Sequence, residues 1–348
     1  MRDYSMKKHS VLLWLIPLIL LLVLVPFLVP SALPAAGAEE ESSLPVMEPV
    51  VLANPNPGPV PLNEKGIPVY SAHPDGVLSD PPGYLDGTIS VRTEERVLKN
   101  KDGKNTKVLF TWIQIADPSQ LRTASCAPYP SQSENWGDRL ATREHAVFAM
   151  NGDWFVGRRE GVVWRNGALL REATYLNGNG YDALIVDTDG DFHVLIHPEL
   201  SELEAFEGRI MHSFVFGPAL VVDGELQVYD NNNYGTGAGM GLHKMTQRQV
   251  ICQLDHLSYL VISTEGPEQT PGGGFTASEI AKIAYDCGAK QAYNLDGGAS
   301  TWTIVAQGED AKPTRINNLR GKKRPITDII YFVTAEPAPE SAEEAPAQ

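Results

Sequence analysis

Short apolar or alternating runs separated by turns recur along the chain: Val108 to Ile115, Ala146 to Met150, Ala183 to Asp187, Phe192 to Ile196, Phe214 to Val222, Tyr259 to Ser263 and Ile329 to Thr334. Their length and their Val, Ile and Phe content predict β-strands. Helical periodicity is scarcer. Thr276-Ala277-Ser278-Glu279 is a capping box, and Ile280, Ile283, Ala284 and Cys287 follow at helical spacing before Gly288, which predicts one helix. A second is predicted over Gln132 to Arg143. Many strands with few helices specify an α+β domain with a mixed, strand-rich sheet and a few packed helices.

The flanks read differently. Arg2, Lys7 and Lys8 precede an uncharged apolar run from Val11 to Val29, and Ala36-Gly37-Ala38 ends the segment with an A-x-A-type site. Residues 1–38 are thus a signal peptide or a signal anchor: the small-residue site argues for cleavage, and the length of the run argues for a membrane span. Either outcome puts the rest outside the cytoplasm, because the positive flank stays inside. Residues 39–82, with a proline every few positions from Leu44, read as an extended extracellular linker. The folded domain is expected over 83–335, and 336–348 reads as a disordered acidic tail.

Net charge is −15 in 348 residues; Arg2, Lys7, Lys8 and Asp3 together carry +2, so the exported part stands at −17. So acidic a surface argues against nucleic acid as a partner. The cysteines, Cys126, Cys252 and Cys287, are too few for a disulfide framework; one bridge could form, in any pairing.

Two clusters carry candidate chemistry. Asn151-Gly152-Asp153-Trp154-Phe155 and Asn294-Leu295-Asp296-Gly297-Gly298-Ala299-Ser300 each follow an apolar strand, and each strand follows a helix. Asp-Gly between apolar runs is first of all a turn signal. The same amide, glycine and acid at two strand ends turns attention to a ligand that backbone could approach closely. Asn231 to Gly241 reads as a mobile loop beside such a site, and Arg320-Gly321-Lys322-Lys323-Arg324 as a solvated basic turn whose sharper reading is contact with an anionic polymer or a phosphate.

The chain resembles the phosphodiester glycosidase family. The likeness rests on Asn151 to Phe155, on Gly217-Pro218-Ala219-Leu220-Val221-Val222-Asp223-Gly224, on Arg248-Gln249-Val250-Ile251-Cys252, and on Gly274 to Thr301 with its Asn-Leu-Asp-Gly-Gly core. Arg324-Pro325 fits as well. The chain departs from the family pattern at Asp153, Cys252 and Ala299, where glycines are usual, and at Glu265, where aspartate is frequent.

That resemblance implies an extracellular hydrolase cleaving a sugar-1-phosphodiester of N-acetylglucosamine type in a surface polysaccharide or teichoic-acid-like polymer. Such a reaction needs a cation on the phosphate, a carboxylate for the oxocarbenium-like transition state or for water, and groups that hold sugar hydroxyls. Arg248, whose planar fork suits phosphate, is the expected cation, and Asp296, Glu265 and Asp153 are the candidate carboxylates. Asn151, Gly152, Asn294, Gly297, Gly298, Ser300 and Thr301 are the expected substrate contacts. No cofactor is required, although Asn151, Asp153, Asn294 and Asp296 are oxygen-rich enough to hold Ca²⁺ or Mg²⁺. A metal-dependent phosphodiesterase and a non-catalytic glycan-binding module are the alternatives. The partners expected are the carbohydrate phosphodiester and, if the N-terminus is retained, the membrane.

Overall fold

Alternating burial, rather than helical amphipathicity, organises this molecule. The computed structural model describes residues 44–157, 161–172, 181–227, 229, 241–317 and 321–337, all within one compact unit that begins at Leu44. The signal or anchor segment, most of the loop from Asn231, Arg320 and the tail beyond Pro337 lie outside the described residues. Among the described residues no helix is long and apolar enough to cross a membrane.

Strands β1 (Val77–Ser79), β2 (Pro82–Leu85), β3 (Ile89–Lys99), β4 (Asn105–Ile115) and β5 (Leu121–Ser125) precede helix α1 (Gly137–Arg143). Next come β6 (Phe148–Asn151), β7 (Val163–Arg165), β8 (Ala168–Arg171), β9 (Ala183–Asp187), β10 (Phe192–Leu195) and α2 (Leu200–Glu204). The rest comprises β11 (Ile210–Phe214), β12 (Ala219–Val222), β13 (Glu225–Leu226), β14 (Gln249–Asp255), β15 (Ser258–Thr264), α3 (Ala277–Asp286), β16 (Gln291–Asn294), β17 (Thr303–Gln307), β18 (Lys312–Arg315) and β19 (Asp328–Phe332). A nine-stranded sheet has the order β1-β2-β3-β4-β15-β14-β16-β12-β13, and a five-stranded sheet the order β18-β17-β6-β19-β5.

The two large sheets bury a common core. Ile251, Tyr259, Val261 and Tyr293 of the nine-stranded sheet share it with Phe148, Met150, Ile330 and Phe332 of the five-stranded one. The alternate residues of the same strands face outward, as the period of two requires. Val250, Cys252, Leu260 and Ile262 pack under Ile280 and Ala284 of α3, and Ala149, Ile329 and Tyr331 under Leu140 and Ala141 of α1. Helix α3 begins as expected, with Thr276 Oγ1 accepting from the Glu279 N–H and Glu279 Oε2 accepting from the Thr276 N–H at 2.8 Å. Cys126, Cys252 and Cys287 are all free thiols.

Three expectations change. The α+β class stands, but the sheets are not mixed: every pairing among the described strands is antiparallel. Helix α1 joins β5 to β6, which flank β19, and α3 joins β15 to β16, which flank β14. In both units the strands joined by the helix run the same way yet never touch, because an antiparallel strand lies between them.

The run Phe214 to Val222 is not one strand. It breaks at Gly217-Pro218 into the end of β11, paired with β9, and β12, paired with β16. Proline supplies no ladder donor, so the break falls there.

The linker also differs. Residues 44–82 lie along the domain: Leu52 and Val60 are buried, the Val50 N–H donates to Gln114 Oε1 at 2.8 Å, and the Val60 N–H to Ser119 Oγ at 2.7 Å. Proline bars the segment from most strand ladders, but its remaining N–H groups and apolar side chains find partners on the domain surface.

Candidate active site

The two helix-strand units place Asn151 and Asn294 at the ends of central strands in facing sheets, and Asn151 joins the two. Its Nδ2 donates to the Asp296 carbonyl at 2.7 Å and to the Gly152 carbonyl at 3.1 Å, while its Oδ1 accepts from the Trp302 N–H at 3.0 Å. Asn294 Nδ2 donates to the carbonyls of Gly217 at 2.8 Å and Leu295 at 3.2 Å, leaving its buried Oδ1 without a protein partner. Both amides, expected on substrate, first of all fix backbone.

The glycine turn explains its own sequence. A Cβ on Gly297 would lie 2.5 Å from the Gln247 carbonyl, and Gly298 has φ +60°. Ala299 is absent from the residues in left-handed conformation, so alanine is accommodated where the family has glycine. Cys252 sits in the core under α3, away from this turn. Thr301 is buried; its carbonyl accepts from Arg315 Nη2 at 2.8 Å and its Oγ1 has no protein partner.

Around this turn lies a small cleft, ≈ 10 Å³ in volume, lined by Asn151, Gly152, Trp154, Asp296, Ser300 and Arg324, with Asp328 also in its wall. Asp296 Oδ2 pairs with Arg324 Nη2 at 2.7 Å, and Arg324 Nε donates to Ser300 Oγ. The Arg324 backbone is bolted down as well: its N–H donates to the Ala299 carbonyl at 3.2 Å and its carbonyl accepts from Trp302 Nε1 at 3.1 Å. The Arg324 side chain is nevertheless 49% exposed, against 12% for Asp296, so a rigidly held cation faces solvent beside a carboxylate. Trp154 borders it, partly exposed, with its ring 5.9 Å from the guanidinium carbon and its backbone at φ +58°. That left-handed conformation costs a non-glycine residue about 1–2 kcal/mol.

Behind the cleft is a buried ionic cluster that the sequence reading missed in part. Arg165 Nη2 lies 2.8 Å from Asp153 Oδ1 and 2.9 Å from Asp328 Oδ2. The guanidinium also sits over the rings of Phe214 at 4.6 Å and Phe155 at 4.9 Å. Burial pushes the Asp328 carboxyl up to about 6; Arg165 opposes that rise and the Asp153 carboxylate adds to it. Gly152 makes room for this carboxyl, since a Cβ there would fall 2.4 Å from Asp328 Oδ2. Neighbouring His212 is driven down to about 3 by burial, by Arg165 and by Arg122, so it is neutral.

Three expected catalytic residues lie elsewhere. Asp153 gives one oxygen to Arg165 and the other to the Val215 N–H at 2.8 Å, so it is a buried structural acid. Arg248 is buried, donating Nε to the Phe275 carbonyl at 2.9 Å and Nη2 to the carbonyls of Gly241 at 2.7 Å and Lys244 at 3.2 Å. Burial lowers it to about 10, and Glu279 acts in the opposite sense. It cannot be the phosphate-binding fork while it holds these carbonyls.

Glu265 follows β15, two strands out from β16, where Oε2 accepts from Thr270 Oγ1 at 3.1 Å. It does not line the cleft. The oxygens of Asn151 and Asp153 proposed for Ca²⁺ or Mg²⁺ are taken by protein donors, and no group of three or more metal-binding side chains gathers among the described residues.

Residues 144–333, more than half of the chain, match the model of the family described as phosphodiester glycosidase. The chain belongs to the phosphodiester glycosidase family. The SPbeta prophage-derived uncharacterized protein YomE of Bacillus subtilis (strain 168) is 24% identical over 194 residues, which is 55% of this chain and 28% of that protein. The chain thus spans under a third of that curated relative.

Among solved structures, the catalytic domain of zebrafish N-acetylglucosamine-1-phosphodiester alpha-N-acetylglucosaminidase, auto-inhibited by its pro-peptide, superposes with a TM-score of 0.54 at 16% identity. The match covers 71% of this chain and 84% of that one, and it supports the fold. A hypothetical protein from Synechocystis gives a TM-score of 0.48 at 16% identity over 72% of this chain and 63% of that one.

Proposed function

We propose that this protein hydrolyses the bond between a sugar anomeric carbon and the oxygen of a phosphodiester, acting outside the cytoplasm on an N-acetylglucosamine-1-phosphodiester-like unit of a surface polysaccharide or teichoic-acid-like polymer. Arg324 carries the reading: a half-exposed guanidinium at the cleft, held by Asp296 at 2.7 Å and by Ser300. With Nε on Ser300 and Nη2 on Asp296, Arg324 meets a phosphate oxygen through its remaining Nη1 edge, as a cation oriented before the substrate arrives. Asp296 is the carboxylate that activates water or stabilises the positive charge developing on the sugar ring. Trp154 offers an aromatic face to the sugar. Export rests on the charged, apolar and small-residue plan of the N-terminus.

The test is release of free sugar from an α-N-acetylglucosaminyl phosphodiester by the chain from Glu39 onward. Asp296→Asn should lower kcat by about 10²-fold or more. Arg324→Ala should raise KM and lower kcat together. Full activity in both variants, with unchanged folding, would remove the assignment. Loss of activity with a chelator and phosphate as the labelled product would favour the metal-dependent phosphodiesterase.

A further inference from the structure

We propose that Asp328 is the proton donor to the departing phosphate, an additional catalytic residue resting on the glycosidase reading above. It opens β19 directly after the Arg324-Pro325 segment, so one short stretch of chain brings the phosphate-binding cation and a second carboxyl to the same cleft. The packing is built around that carboxyl. Gly152, with no side chain, leaves the space in which it sits, and Arg165 Nε and Nη2 hold its Oδ2 from behind at 3.3 and 2.9 Å. Its Oδ1 accepts from Thr327 Oγ1 at 3.3 Å.

The charged groups that face it are Arg165 from β7, Asp153 after β6, and Asp296 and Arg324, which line the same cleft. His212 on β11 is neutral, so two buried carboxyls share one buried cation. Such a cluster carries one negative charge in excess unless a proton joins it. Asp328, raised to about 6, is where the proton goes. The second ionisation of a phosphate monoester has a pKa of about 6, so the match favours transfer in the transition state.

The step balances as follows. Water adds to the anomeric carbon and gives one proton to the Asp296 carboxylate. The bond between that carbon and the phosphate oxygen breaks, its electron pair stays on the oxygen, and the Asp328 proton joins that oxygen. The products are the free sugar and a phosphate monoester monoanion. Asp296 then returns its proton to solvent and Asp328 regains one.

Leaving-group dependence tests this. In the chain from Glu39 onward, Asp328→Asn should reduce kcat about 10²–10⁴-fold on the glycosyl phosphodiester. It should change the rate on the matching α-glycosyl fluoride by less than about tenfold, since fluoride departs with little help from an acid. The unaltered chain should lose kcat/KM on the phosphodiester as pH rises through about 6, with a weaker decline on the fluoride. Equal losses on both substrates in Asp328→Asn would make Asp328 a structural residue and overturn the assignment. If that variant does not fold, identical pH profiles of the unaltered chain on the two substrates overturn it instead, and a decline confined to the phosphodiester supports it. Failure of the unaltered chain to release sugar from either substrate removes the glycosidase reading and this assignment together.

Discussion

Arg165→Met tests whether the cluster behind the cleft is held together as the geometry requires. The substitution keeps most of the apolar volume against Phe155 and Phe214 but removes the only cation in contact with Asp153 and Asp328 among the described residues. Both carboxyls are almost wholly buried, at 1% exposure each. Removing one partner from a buried ion pair costs about 3–5 kcal/mol, because the charge left behind has neither water nor a counter-ion. At roughly 2–4 °C per kcal/mol for a domain of this order of size, melting should fall by at least about 6 °C near neutral pH.

The pH dependence has a definite sign. Asp328 is already raised in the folded state, so its contribution to stability is present below its unfolded pKa and is lost as pH rises through about 6. Without Arg165 the folded-state pKa of Asp328 rises further, so the variant binds a proton more readily when folded and its deficit shrinks as pH falls. Urea unfolding at pH 5 and pH 7.5 in one buffer salt measures both quantities. Adding Asp153→Asn and Asp328→Asn to the variant should recover much of the loss. A deficit under about 1 kcal/mol at pH 7.5, or one of the same size at both pH values, would refute the reasoning.

Two further substitutions probe residues whose roles the structure reassigns. Asn151→Ala leaves the Asp296 carbonyl and the Trp302 N–H unpaired between the sheets, so urea unfolding should show a loss of about 2–4 kcal/mol. A loss below about 0.5 kcal/mol would show that the amide does not join them. Arg248→Met should destabilise the protein by about 3 kcal/mol through the carbonyls it abandons, while KM for the phosphodiester stays within about threefold. A tenfold rise in KM would return Arg248 to the phosphate.

Much of the fold was legible because burial on one face of a strand leaves a period of two in the sequence, and because the Thr276 capping box is local chemistry. Direction was not legible: a helix between two strands suggests a parallel pair, and nothing near α1 or α3 announces that β19 or β14 will slot between the strands they join. β14 precedes the strand it separates from β16, whereas β19 comes from the far end of the chain.

The site divided along the same line. Asp296, Ser300 and the glycine turn could be found because their spacing is local. Arg248 and Asp153 have the right chemistry, but burial and long-range partners decide its use, and those partners are Phe275, Gly241, Arg165 and Val215. Arg324 stood in a basic run read first as solvated surface and more sharply as a phosphate contact, and Arg324-Pro325 fitted the family pattern; its contacts with Asp296 and Ser300 place it at the cleft. Asp328 left a faint mark, a carboxylate opening an otherwise apolar strand, and Arg165 one of the same kind at the end of Val163-Trp164-Arg165.

Hydrolysis of an α-N-acetylglucosaminyl phosphodiester in ¹⁸O-labelled water asks directly which bond this protein breaks. Cleavage at the anomeric carbon, as proposed, puts the label in the released sugar and none in the phosphate monoester. Label in the phosphate would mean scission of the P–O bond and would contradict the glycosidase assignment.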